Sequence, residues 1–382
     1  MIRNRIFAIL FLIVGYTVIK AVELMPSSPW RATALGLGVF VVMFTWQWLA
    51  HHKTMKVNDR LWFCFLAWAG SFTMAIWSIF IPLSFVTDLV YGLLVLTSPS
   101  VAKTLGHFGF RDLELIVLTV SCALAFVGYG VAVIMGPQIR NVNVPIENLP
   151  SSLHGFKIAQ VSDVHVGSTI RRRYVERLVS KTNSVGADIV AVTGDLVDGW
   201  AEELALHLEP FSELHARHGV FYVPGNHEYY WDALRLIEKV AGFGFRPLIN
   251  EGVSVDIGGA SVLIGGITDP AGKLLSAEHI PNVQRAAQIK SDKPHVRILL
   301  SHRPNFYQEA EAHGFHLQLS GHTHGGQYFP YNLIIRFFHK FYRGINRHGR
   351  LTVYVSPGSG YWALANRLGV RAEITVIHLL AE

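Results

Sequence analysis

Five short stretches of the chain carry side chains suited to holding a cation. They are Ser162-Asp163-Val164-His165, Thr193-Gly194-Asp195, Pro224-Gly225-Asn226-His227-Glu228, Ser301-His302-Arg303-Pro304 and Ser320-Gly321-His322-Thr323-His324-Gly325-Gly326. Asp163 and His165 stand at i and i+2 of an extended segment, so both point the same way and both can reach one ion; His322 and His324 are spaced alike. Glycines ahead of Asp195, Asn226 and His322 permit tight turns that bring each ligand inward. The donors are oxygen and imidazole with no thiolate, which suits manganese, iron or zinc and argues against copper(I) or iron–sulfur clusters. Asp163, His165, Asp195, Asn226, His302, His322 and His324 together exceed what one four- to six-coordinate ion takes, so two divalent ions sharing Asp195 is the economical arrangement. A lone D-x-H or G-D is common by chance; five such pieces in order are not.

Each stretch lies just past a β-rich run. Lys157–Val161, Asp188–Val192, Val220–Val223, Arg297–Leu300 and Leu317–Leu319 read as buried strands that deliver the five stretches from their C-terminal ends, where layered α/β proteins build ligand sites. Ser254–Ile257 and Ser261–Ile264, joined by Gly258-Gly259, read as a hairpin. Leu351–Val355 and Glu373–Leu379 are further strands. Helices are expected over Arg171–Asn183, Ala201–Ala216 and Trp231–Gly242. The result is an α/β layered domain over residues 150–382.

In this order the five stretches resemble the calcineurin-like metallophosphoesterases. The G-H-T-H-G-G-Q form and Ser356-Pro357-Gly358-Ser359-Gly360 are similar to their bacterial YkuE/YaeI-type branch, of which membrane-anchored versions exist. The resemblance covers about residues 150–380 and implies a sandwich of two mixed β-sheets flanked by helices. It implies that Asp163, His165 and His324 bind one metal, that Asn226, His302 and His322 bind the other, and that Asp195 bridges them. Manganese is the first choice, with iron or zinc as alternatives. Two ions roughly 3.5–4 Å apart would hold a bridging water and aim its hydroxide at phosphorus. His227 matches the family's catalytic histidine and is assigned protonation of the leaving group, or stabilisation of its developing alkoxide. Glu228 and Asp198 would orient ligands or His227, with a purely structural role equally open for Glu228. No family ligand is missing, which weighs against a non-catalytic relative.

The first 140 residues are of another kind. The 382-residue chain is 51% hydrophobic and only 16% charged, with a mean hydropathy of +0.32, where about 25% charged residues is usual. Residues 1–140 hold 10 of the 33 Lys and Arg and 5 of the 27 Asp and Glu, which splits the net +6 into +5 and +1. Histidine splits the other way, 3 against 16. The basic surplus thus sits beside apolar spans, where it sets orientation rather than binding nucleic acid. Stretches of about 20 apolar residues give a transmembrane region over 1–140 with four or five helices, about 6–22, 30–49, 61–80, 84–99 and 113–135. A tight turn is expected near Pro82–Asp88. The first stretch follows Arg3 and Arg5 like a signal peptide, but further spans follow it, which favours an anchor.

Seven basic residues (Arg3, Arg5, Lys53, Lys56, Arg60, Lys103 and Arg111) fall in inside loops and two, Lys20 and Arg31, in outside loops. That bias puts the N-terminus inside. Five spans then place the catalytic domain outside the cytoplasm, on a multi-pass protein of the cell (inner) membrane; four would leave it cytoplasmic. Cys64 and Cys122 fall inside spans and say nothing of redox compartment. Asp88, a carboxylate in an apolar run, is either the residue of that turn or a functional membrane charge.

Substrate is the least specified part. Arg171-Arg172-Arg173, soon after Asp163, is placed either to attract a phosphate or to begin a charged helix. Leu333–Arg350 interleaves Arg336, Lys340, Arg343, Arg347 and Arg350 with Phe337, Phe338, Phe341 and Tyr342. It could lie on anionic headgroups, or pack its aromatics into the core. The first reading of function is a membrane-anchored phosphodiesterase or pyrophosphohydrolase acting on a lipid-borne or envelope phosphate ester. The second is the same chemistry on a soluble phosphodiester such as a nucleotide. The third is a non-catalytic metal-binding sensor or transport protein. The expected partners are thus a phosphate ester and the bilayer, with no nucleic acid bound.

Overall fold

The structure, a computed structural model, describes residues 15–17, 19–20, 61–106, 109–288 and 294–382. The chain divides into two compact units, one including Leu61–Gly130 and the other including Val131–Trp362 and Arg367–Glu382.

In the first unit, residues 15–17 and 19–20 are helical, and the spans expected at 6–22 and 30–49 otherwise lie outside the described residues. The spans expected at 61–80 and 84–99 are a single helix, Leu61–Thr97, with Pro82 inside it. Proline removes one backbone hydrogen bond, whereas a turn among apolar residues would strand several polar backbone groups, so the helix runs through. At 1.5 Å per residue it is about 55 Å long. A short helix, Pro99–Gly106, follows. Helix Gly109–Tyr129, extended by a π-helical turn Gly130–Met135, occupies the span expected at 113–135. Two helices among the described residues are therefore long and apolar enough to cross a membrane.

Asp88 lies within the long helix rather than in a turn. Its carboxylate accepts hydrogen bonds from Tyr16 Oη and Lys20 Nζ, each at 2.7 Å. Lys20 Nζ also donates to Glu114 Oε1 at 2.8 Å, and Ser84 Oγ donates to Glu114 Oε2 at 2.7 Å. Lys20 and Glu114 are both buried, and a charge kept from water persists only when it is paired in this way.

Among its described residues the second unit contains twelve strands: β1 Gln138–Ile146, β2 Lys157–Val161, β3 Ile189–Thr193, β4 Val220–Val223, β5 Phe245–Pro247, β6 Glu251–Ile257, β7 Ala260–Ile267, β8 Val296–Ser301, β9 Leu317–Ser320, β10 Gly344–His348, β11 Leu351–Val355 and β12 Glu373–Ala381. They form two six-stranded mixed sheets, ordered β1-β12-β2-β3-β4-β5 and β10-β11-β9-β8-β7-β6. β2 to β5 run parallel, as do β7, β8, β9 and β11. Alternation of side chains decides which residues lie between the sheets. Ile158, Ile189, Phe221 and Val223 from one sheet meet Val262, Ile264, Ile298, Leu300 and Leu319 from the other in one buried cluster. Leu263, Leu299 and Val353 point to the opposite face and join Phe315 and Phe341. In this core Gln160 Nε2 on β2 donates to Ser320 O on β9 at 2.9 Å, linking the sheets.

Two local readings change and a third holds. β1 begins twelve residues before the expected domain start at 150, and pairs in parallel with β12. Only Val142, Val144 and Ile146 alternate inward, and the intervening Asn141, Asn143 and Pro145 disguise the strand. The helix expected over Ala201–Ala216 is a single α-turn, Ala205–Leu208, followed by a 3₁₀ segment Glu209–Glu213, because Pro210 cannot continue an α-ladder. The β6–β7 hairpin forms as expected, with Gly258 and Gly259 both at positive φ, the requirement of its two-residue turn.

Candidate metal centre

The loops that follow β2, β3, β4, β8 and β9 bring all seven expected ligands together. His324 Nε2 lies 3.1 Å from His165 Nε2 and 3.5 Å from Asp163 Oδ1. On the other side, His302 Nε2 lies 3.2 Å from Asn226 Oδ1 and 3.2 Å from His322 Nδ1. Asp195 Oδ2 stands between them, 3.8 Å from His165 Nε2 and 3.1 Å from His302 Nε2. Two convergences of donors thus share one carboxylate. The donor chemistry, buried aspartate, asparagine amide oxygen and imidazole, fits a pair of divalent cations.

The backbone is bent to achieve this. Asp163, His165, Asp195, His322 and His324 all have φ between 50° and 70°, a left-handed conformation that costs non-glycine residues about 1–2 kcal/mol each. Such strain gathers where function requires it. Gly194 also adopts positive φ, but Gly225 and Gly321 are glycines for want of space. A Cβ at Gly225 would lie 2.2 Å from Asp195 Oδ1, and one at Gly321 would lie 2.1 Å from Asp163 Oδ2. The turn expected from glycine conformation is at these two positions a close approach.

His227 closes a third convergence, with His165 and Asp195. Its Nδ1 lies 2.5 Å from Asp198 Oδ1, and its Nε2 lies 4.0 Å from Asp195 Oδ2. Burial would lower the His227 pKa, but Asp198 and Asp195 outweigh it and raise it to about 9. Asp198 also meets His165 Nδ1 at 3.1 Å. Burial opposes its ionisation, yet His165 and His227 hold the carboxyl well below the usual range. Glu228 accepts hydrogen bonds from the backbone N–H groups of Asp195, Leu196 and Gly225 at 2.9, 2.7 and 2.5 Å, which ties the β3 loop to the β4 loop.

Three neighbours carry no readable motif. Arg367 is fully buried, and its guanidinium reaches His324 Nδ1 at 3.2 Å while donating to the carbonyls of Pro357 and Gly360. The Trp362 ring stands edge-on to His227 at 5.8 Å between centroids. The His339 ring lies 6.0 Å from that of His322. The Ser356–Gly360 stretch did hold a signal. Ser359 N–H donates to Ser162 O, and a Cβ at Gly360 would lie 2.1 Å from Val164 O, so this stretch packs on the loop of Asp163. By contrast Arg172 pairs with Glu176 and Glu209, and Arg171 Nε donates to Ser168 O, as a charged helix start would.

The sequence model of the calcineurin-like phosphoesterase family matches residues 156–326. A transmembrane protein with metallophosphoesterase domain from Bos taurus is 34% identical over 256 residues, 64% of this chain and 57% of that protein. Its namesake from Danio rerio is 32% identical over 296 residues, 75% of this chain and 67% of that protein. The uncharacterized metallophosphoesterase YkuE of Bacillus subtilis is 29% identical over 273 residues, 66% of this chain and 90% of that protein.

Proposed function

The chain belongs to the calcineurin-like phosphoesterase family, and from that premise we propose that it is a membrane-anchored, binuclear-metal phosphodiesterase or pyrophosphohydrolase acting on a lipid-borne or envelope substrate. The observation that carries the reading is Asp195 Oδ2, which faces His165 on one side and His302 on the other. Asp163, His165 and His324 would hold one ion and Asn226, His302 and His322 the second, with manganese the first candidate. Bound divalent ions supply Lewis-acid stabilisation of phosphoryl oxygens and a water acidified for attack.

The protein's own residues do the rest. Asp198 accepts the His227 Nδ1 proton, which fixes the ring and leaves Nε2 to carry the transferable proton toward the leaving oxygen. In the metal-free site burial is outweighed by Asp198 and Asp195, which raise the His227 pKa to about 9 and favour the protonated ring there. Glu228 holds the Asp195 backbone so that its carboxylate stays shared. Membrane anchoring is supported by the two apolar helices; joining the spans expected at 61–80 and 84–99 in one helix removes the five-span count on which an extracytoplasmic catalytic domain depended.

The test uses the full chain in detergent, stripped with chelator and reloaded with manganese, assayed on bis-p-nitrophenyl phosphate and p-nitrophenyl phosphate. Metal-restored diester cleavage supports the reading. Hydrolysis that survives complete stripping contradicts it.

A further inference from the structure

We propose that residues 331–343 form a docking surface for an anionic bilayer beside the metal centre. Residues 327–350 follow the His322–His324 turn and contain Arg336, Lys340, Arg343, Arg347 and Arg350 with no Asp or Glu. The neighbouring carboxylates in sequence are Glu311 and Glu373.

The segment is fastened at defined points. Thr323 Oγ1, between the two histidines, donates to Tyr342 O at 2.6 Å. A Cβ at Gly326 would lie 2.5 Å from Asn332 Cα. Ile335 and Phe341 are buried, and Phe341 packs on Tyr307 with ring centroids 4.9 Å apart. Between these anchors the apolar side chains face outward. Phe337 is 74% exposed, Phe338 71% and Leu333 53%, with Ile334 also exposed. Of the two readings left open by the sequence, core packing therefore holds for Phe341 and fails for Phe337 and Phe338.

Contiguous exposed apolar side chains bordered by charge mark an interaction surface. Here every charge on the segment is positive, which complements anionic headgroups, and aromatic and aliphatic tips among Lys and Arg are the composition of an interfacial anchor. A chain with two helices of membrane-crossing length presents such a surface to lipid at high effective concentration. Because His339 lies against His322, docking there brings lipid headgroups to the metal centre. The inference does not rest on the hydrolytic reading, since a non-catalytic domain could dock in the same way.

The test uses the full chain with Cys64→Ala, Cys122→Ala and Phe338→Cys, labelled with nitrobenzoxadiazole. It is reconstituted in phosphatidylcholine vesicles with or without about one-third phosphatidylglycerol. Bis-p-nitrophenyl phosphate cleavage, or a melting transition, checks folding independently of docking. In anionic vesicles the label should shift to the blue, be quenched by spin-labelled lipid and resist iodide. Arg336→Glu with Lys340→Glu should abolish most of that lipid quenching. A label open to iodide and untouched by spin-labelled lipid overturns the proposal. So does a label shielded from both quenchers, which would mean a protein surface, such as a second copy, covers the segment. Lipid quenching of equal size in neutral vesicles overturns the choice of an anionic surface.

Discussion

Asp198 Oδ1 and His227 Nδ1 lie 2.5 Å apart, so the imidazole is held as an Nδ1–H donor with Nε2 turned to the cluster around Asp195. His227→Ala should therefore lower kcat about 10²- to 10⁴-fold on substrates with alkoxide leaving groups. The loss should be much smaller with p-nitrophenolate, which departs without a proton. Rates for a series of diesters of rising leaving-group pKa check this. An equal loss across the series contradicts the proton-donor role.

Asp198→Asn removes the negative charge that faces both His227 Nδ1 and His165 Nδ1. Loss of such an orienting carboxylate should cost about 10- to 100-fold in activity or metal affinity. Steady-state kinetics with measured metal content separates the two effects.

Gly321→Ala would place a methyl 2.1 Å from Asp163 Oδ2 and 2.1 Å from Ser162 Oγ. Neither neighbour is the end of a flexible chain, so the loop must shift, at a cost of about 1–3 kcal/mol. Thermal unfolding should show a lowered Tm, with weakened metal retention.

Among the described residues the apolar helices carry one buried charge network. Lys20→Met would leave Glu114 buried without its cation, a change worth about 3–5 kcal/mol. Asp88→Asn should cost far less, because its side chain is 36% exposed. Thermal stability of the two variants in detergent gives the order; equal effects would contradict it.

Metal binding should be linked to protons. Burial would lower the His302 pKa, but Asp195 and then Asp163 raise it to about 10, so the ring is protonated in the metal-free chain at neutral pH. An ion must expel that proton, so affinity should rise with pH from 7 to 9 and uptake should release protons. Stability of the metal-free chain runs the other way. The contribution from His302 is complete below its unfolded value near 6.5 and is lost as pH climbs toward 10. Manganese calorimetry in two buffers of different ionisation heat measures the release. An affinity that is flat or falling over this range contradicts the linkage.

The five ligand loops are legible in the sequence because each follows a short, largely apolar strand, and a strand end fixes where the next polar residues go. β1 is not, since its outward residues include Asn141, Asn143 and Pro145 and its partner β12 lies more than two hundred residues away. The single helix across Pro82 is misread because local proline chemistry signals a break that an apolar environment overrides. Arg367 meets His324 only through tertiary packing, and no spacing in the chain announces it. Lys20 and Glu114 look like end-of-span charges, and only the packing of helices pairs them.

The sharing of Asp195 by two ions is the central claim, and electron paramagnetic resonance of the manganese-loaded full chain tests it most directly. Two equivalents of manganese should give the broad signal of an exchange-coupled pair, and Asp195→Asn should convert it to the six-line pattern of isolated ions with lost diesterase activity. A six-line spectrum from a folded, active native chain at two bound equivalents would contradict the shared carboxylate, and binding of a single equivalent would contradict the binuclear centre itself.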